Sequence, residues 1–159
     1  MGVDIALNTF LTLQCYPRQQ RIYTMIIHRI TDVLSVADQL VTSDLRTIAD
    51  AGFRSVICNR PDAEDEPHEI ADEMAKRAIE LNLEFRYQPV SGAFITDDDV
   101  LTHRDLLDKL PKPILSYCRS GTRCSKLWAL TQSPQQDKEY LISTVARAGF
   151  KIIDIAHRL

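Results

Sequence analysis

One short run of residues combines the types and spacing that anion chemistry needs. Cys118-Arg119-Ser120-Gly121-Thr122-Arg123 joins a buried-looking apolar stretch, residues 114–117, to an amphipathic stretch that begins near Cys124. In open parallel sheets ligands bind at the carboxyl ends of strands, and a cysteine one residue past 114–117 falls at such an end. A tight loop there turns successive backbone N–H groups inward and, with the helix N-terminus, makes an anion cradle. Gly121 permits the positive φ that such a nest requires, and Arg123 offers a two-pronged guanidinium to an oxyanion. The same field stabilises a thiolate and lowers its pKa. Cys118 is therefore expected to be a nucleophile, with Arg123 holding the anion it attacks or forms. The plainer reading is a buried cysteine near a helix start with two surface arginines.

The neighbours divide less sharply. Arg119 suits either recruitment of an anion at a pocket rim or a solvated position. Ser120 and Thr122 could donate to sulfur or oxyanion, or satisfy the loop backbone. Cys124 could resolve an oxidised Cys118 through a disulfide, although a small packing residue at a helix start is preferred. Ser125 could reach the thiolate or cap the helix. Arg60, just after an apolar run at 55–58, could lie on the same sheet edge and bind substrate, or pair with Asp62 or the acidic loop around it. Cys58 and Trp128 read as core, and His103 as solvent-facing. Asp62, Glu64, Asp65 and Glu66 read as a solvated acidic loop.

To position that loop the chain must alternate strands and helices. Ser43-Asp44 starts a helix that Gly52 ends. Residues 55–58, 85–90 and 114–117 read as strands. Ile70, Met74 and Ala78 recur at helical spacing within 69–81. Thr96 caps a helix to about Leu110 whose first turn holds Asp97, Asp98 and Asp99. Further helices run over 125–131 and 137–148. Residues 151–155 are left between strand and helix. The pattern predicts an α/β fold with a mostly parallel central sheet flanked by helices. Residues 1–24 have weak periodicity and read as an N-terminal extension to a single domain over 25–159.

Composition narrows the function classes. With 159 residues, 45% hydrophobic and 26% charged, the chain can bury a core without disulfides or metals. Nineteen basic against 22 acidic side chains give a net charge of −3, a poor balance for nucleic-acid binding. Cys15, Cys58, Cys118 and Cys124 form no Cys-x-x-Cys pair, and the four histidines lack metal-ligand spacing, so neither metal nor cofactor is expected. The start lacks the basic residues and clean apolar core of a signal peptide. No run reaches membrane-span length, which makes a reducing cytoplasm the simplest compartment.

Cys-Arg-Ser-Gly-x-Arg after a buried strand resembles the active loop of single-domain rhodaneses. The longer span from Ile26 to about Leu130 resembles a bacterial family, the beta-lactamase hydrolase-like proteins with a phosphatase-like domain. Asn59-Arg60-Pro61-Asp62, Pro89-Val90-Ser91-Gly92 and Cys118 through Trp128-Ala129-Leu130 carry it. The resemblance implies a fold like the dual-specificity phosphatases, Cys118 as nucleophile and Arg123 as the anion-binding arginine. It also makes a separate metal-dependent hydrolase-like partner enzyme plausible.

Two departures matter. Cysteine phosphatases place five residues between Cys and Arg, whereas here there are four, as in rhodanese-type loops. Their general-acid Asp corresponds by position to Ser91, a poor proton donor near neutral pH. Sulfur transfer from a small donor to a thiol acceptor needs no general acid, because the leaving sulfite or thiolate is already a stable anion. The expected activity is thus a cysteine-dependent sulfurtransferase with a Cys118 persulfide. The alternative is a phosphatase-like hydrolase with a Cys118 phosphocysteine, and a third reading is a non-catalytic redox or anion-binding module.

Overall fold

A computed structural model describes residues 25–64 and 67–159. The N-terminal extension read at 1–24, with Cys15, and the acidic pair Asp65-Glu66 lie outside the described residues. Five strands form one sheet in the order β1-β2-β5-β3-β4: β1 (Ile27–Arg29), β2 (Leu34–Ala37), β3 (Ser55–Cys58), β4 (Glu84–Tyr87) and β5 (Ile114–Tyr117). β2, β5, β3 and β4 run parallel, and β1 is added antiparallel at one edge. The three inner strands β2, β5 and β3 are buried along their whole length, as their continuous apolar runs require. The β1–β2 hairpin was not separable in the sequence, because Ile26 to Ala37 carries no clear turn signal beyond Thr31-Asp32.

Helices cover both faces. α1 (Asp44–Asp50) and α2 (Ala71–Glu80) bury Leu45, Ile48, Met74 and Ala78 against one face with Val56, Leu115 and Tyr117. On the other, α3 (Asp97–Lys109), α4 (Thr122–Gln132) and α5 (Lys138–Arg147) pack Val100, Leu127, Trp128 and Leu141 against Val36, Ile57 and Ile114. Each such aliphatic side chain contributes roughly 1.5–3 kcal/mol on full burial. Thr96 begins α3 with a reciprocal capping box to Asp99. The undecided residues 151–155 lead into a 3₁₀ segment, Ile153–Arg158, that returns to the sheet's carboxyl edge.

Register explains how distant residues meet. Tyr117 lies beside Ala37 on one side and Cys58 on the other, and Cys58 lies beside Tyr87. The first residues past the strand ends, Cys118, Asn59 and Gln88, are therefore neighbours along one sheet edge. The Asn59 amide donates from Nδ2 to Gln88 O and Oε1, both at 3.1 Å, and Ser116 Oγ donates to Asn59 Oδ1 at 3.1 Å.

His103 corrects the sequence reading. It is fully buried rather than solvent-facing, with Nδ1 2.7 Å from Gln88 Oε1. That oxygen already accepts from Asn59, so Nδ1 carries the proton. Burial pushes the imidazole down to about 4. Above about pH 6.5 both folded and unfolded chains hold it neutral. Below that the unfolded chain takes up a proton that the folded one refuses until about pH 4. His103 should thus remove on the order of 3 kcal/mol of stability as pH falls through this window. Denaturant unfolding across pH 4–7 should give a steeper acid loss for the native chain than for His103→Leu, and equal slopes would contradict it.

Candidate active site

The loop after β5 folds as its residues dictate. Gly121 has φ +86°, the left-handed conformation that starts α4, and its added Cβ would meet Phe150 Cζ at 2.9 Å. This turn points Gly121 N at Cys118 Sγ, 3.1 Å away. Ser125 Oγ donates to Gly121 O at 3.0 Å, so it braces the turn rather than the thiolate. Ser120 Oγ and Thr122 Oγ1 bond each other at 3.1 Å.

Cys118 is buried, with 1% of its surface exposed, yet its pKa is lowered to about 6. The Cys124 thiol beside it contributes most, by donating a hydrogen bond; desolvation opposes this, and the backbone N–H groups of Cys124 and Ser120 with the Arg123 charge add to it. Cys124 itself is pushed well above the usual thiol range by burial and by Cys118, so it remains a neutral donor. Its Sγ lies 3.4 Å from Asn59 Oδ1, which ties the site to the buried Asn59–Gln88–His103 network. Both cysteines are free thiols.

Arg123 is held from two sides. Nη1 donates to Asn59 O at 3.0 Å and Nη2 to Glu64 Oε1 at 2.6 Å. Gly92 lets the guanidinium pass, since a Cβ there would stand 2.9 Å from Nη2. Nε is buried and meets no acceptor among the described residues. Glu64 also takes Arg60 Nε at 2.9 Å, while Arg60 Nη1 reaches Gln39. Two sequence expectations change here. Glu64 is a clamp and not part of a solvated loop, and Asp62 accepts from Ala71 N at the start of α2. Cys58 and Trp128 are core, as read.

Cys118 and Arg123 line a pocket of about 320 Å³ with Arg119, Ser120 and Thr122. Arg60 and Ser91 do not line it. Arg60 is a buried strut behind Glu64, and Ser91 Oγ accepts from Ala93 N in an exposed turn. The remaining walls were not legible in the sequence: Phe94 and Ile95 from the loop before α3, Lys126 from α4, and Asp154, Ile155, His157 and Arg158 from the 3₁₀ segment. Arg158 ties that segment to the loop through Ile95 O and Asp97, and lies 5.6 Å above the Phe94 ring. Lys126 pairs with Asp154. No short-range motif announces the distant ones, because Phe94 and Ile95 lie more than 20 positions before the loop and the 3₁₀ segment about 30 positions beyond it. No described group of His, Cys, Asp and Glu could hold a metal ion, and no described helix is long and apolar enough to cross a membrane.

Residues 27–135 match the family model of the beta-lactamase hydrolase-like protein, phosphatase-like domain. The chain belongs to this family. Over 106 residues this phosphatase-like domain is 30% identical to a beta-lactamase hydrolase-like protein of Agrobacterium fabrum, covering 66% of the chain and 24% of that protein. The chain thus spans about a quarter of the length of the curated relatives it matches. Among solved structures it is similar to a candidate phosphatase from Neisseria meningitidis Z2491, with TM-score 0.77 and 31% identity over 85% of this chain and 96% of that one. The core catalytic domain of the PP-IP phosphatase SIW14 of S. cerevisiae shares the fold, with TM-score 0.60 and 14% identity over 77% and 74% of the two chains. The phosphatase-like domain is accordingly built on the protein-tyrosine and dual-specificity phosphatase fold.

The low Cys118 pKa has a direct readout. Alkylation of Cys118 by iodoacetamide, followed by peptide mass against pH, should show a midpoint near 6, and Cys124→Ala should move it upward. A native midpoint above about 8, the range of an ordinary thiol, would contradict this electrostatic account.

Proposed function

We propose that the protein is a cysteine-dependent phosphatase, the alternative of the sequence reading, in preference to the sulfurtransferase expected first. One observation carries the proposal: the buried Arg123 Nε, without an acceptor among the described residues, in one pocket with a thiol whose pKa is lowered to about 6. A donor so placed suits the equatorial oxygens of a phosphoryl group in flight. Arg119, Arg123, Lys126 and Arg158 line the pocket, and with Glu64, Asp97 and Asp154 paired to three of them the local balance stays positive, which suits an anion. The family and the phosphatase neighbours support the same chemistry.

In this reading Cys118 thiolate attacks phosphorus, the P–S bond forms, and the P–O bond to the leaving group breaks with its electron pair on oxygen. Arg123 Nε holds the phosphoryl oxygens, Asn59 O and Glu64 fix the guanidinium, and the Gly121 N–H and the Cys124 thiol stabilise the sulfur when water later frees the thiolate. An aryl phosphate is the natural probe of this chemistry.

The four-residue spacing keeps sulfur transfer as a second reading, since the shorter loop offers fewer amides to wrap three oxygens and suits a persulfide. Steady-state assays distinguish the two. Hydrolysis of p-nitrophenyl phosphate should exceed thiosulfate-to-thiol transfer, vanish in Cys118→Ser, and fall by about two to three orders of magnitude in Arg123→Lys, which loses the Nε donor and the two-sided clamp on the head group. Transfer of sulfane sulfur without phosphate hydrolysis would reverse the assignment.

A further inference from the structure

A phosphate ester with a poor leaving group needs a proton on the departing oxygen, and the loop before α3 does not supply one in the expected place. Ser91 is turned into its own backbone. Asp99 is consumed by the capping box with Thr96, Asp62 by the start of α2, and Asp97 by Arg158. The part of that loop facing the pocket is Gly92, Ala93, Phe94 and Ile95, none of which titrates.

The 3₁₀ segment supplies the other wall. Of its pocket-lining side chains, Asp154 is held below the usual carboxylate range by its hydrogen bond with Lys126, so it stays ionised near neutral pH. Lys126 is taken up by Asp154 and Arg158 by Ile95 O and Asp97, and an arginine does not release its proton near neutral pH. His157 is the one remaining titratable group among the described residues lining the pocket, apart from the nucleophile. Histidine is also the side chain whose ordinary titration lies nearest neutrality, which is what general acid catalysis asks for.

Resting on the phosphatase reading, the geometry points to His157 as the general acid that protonates the leaving oxygen. Its imidazolium gives that oxygen a proton as the P–O bond breaks and is left neutral. It then takes a proton from the water that attacks phosphocysteine, as the P–S bond breaks and its electron pair returns to Cys118. The segment carrying it is fixed at two points: Arg158 grips Ile95 O at 2.6 Å and Asp97 at 2.8 Å, and Asp154 is paired with Lys126 of α4. The charges around His157 are Asp154 and Arg158 on its own segment, Lys126 on α4, and Arg119, Arg123 and Cys118 on the loop, with Glu64 behind Arg123. The residue lies outside the region matched by the family model, so this role would be particular to chains with such a C-terminal turn.

The test compares leaving groups in the full chain. p-Nitrophenolate departs readily without a proton, whereas phenolate does not. In His157→Asn, kcat for phenyl phosphate should fall about a hundredfold further than kcat for p-nitrophenyl phosphate. The alkaline descent of kcat with phenyl phosphate should disappear, and added imidazole should restore part of the rate. Equal losses on both esters would mark His157 as structural and overturn the role, as would an unchanged rate on phenyl phosphate. If the native chain hydrolyses neither ester while Cys118 remains alkylatable at low pH, the phosphatase reading falls as well, which separates the two failures.

Discussion

Stabilising a thiolate at Cys118, a residue only 1% exposed, is the constraint around which the site is organised. Burying an isolated anion is strongly unfavourable, so the surroundings must return the stabilisation that water would have given. They do so with the N–H of Gly121 at 3.1 Å and the first turn of α4 from the backbone, and with one side chain, the neutral thiol of Cys124 kept protonated by its own burial. Each depends on the position of β5 in the middle of the sheet. A central parallel strand has both edges paired, so the residue after it is fixed in all three dimensions before any side chain is chosen.

The second layer shows what holding such a site requires. Asn59 and Gln88, aligned with Cys118 by strand register, join Ser116, Cys124 and the neutral His103 in one buried polar network. Networks of this kind stabilise only when nearly every member is satisfied, and here the amides are oriented by their neighbours. Glu64 performs the matching task for charge. It lies between Arg60 and Arg123 and keeps two buried or half-buried guanidinium groups from facing each other unpaired. The pocket is closed by a piece of chain remote in sequence, the 3₁₀ segment, which contributes Ile155 and is anchored through Arg158 to the loop that carries Phe94.

Legibility in the sequence followed the range of the interaction. Local chemistry was readable: Gly52 and Gly121 at positive φ, Thr96 as a capping residue, the apolar runs of β3 and β5, and the Cys118 loop itself. Long-range placement was not. His103 sits on a helix whose periodicity is diluted by charges, and only the packing of α3 onto α4 shows it to be internal. For Arg60 the sequence leaves substrate binding and a pair with the acidic loop equally open, and only the fold shows that Glu64 of that loop and Gln39 take it. The rim residues Lys126, Asp154 and Arg158 carry no motif at all, since their partners lie 28 to 63 positions away. The choice between sulfur and phosphorus rested in the sequence on loop length and a missing aspartate. The structure adds the orphaned Arg123 Nε and the cationic pocket, and these tilt the assignment toward phosphate.

The most direct measurement traps the covalent state of Cys118 during turnover. The native protein is mixed with p-nitrophenyl phosphate, quenched in acid within the first turnover, and the mass of the Cys118 peptide is read beside that of a sample treated with thiosulfate. The account predicts a phosphoryl group on Cys118 in the first sample, absent from Cys118→Ser. An unmodified Cys118 peptide there, with one added sulfur in the second, would contradict it.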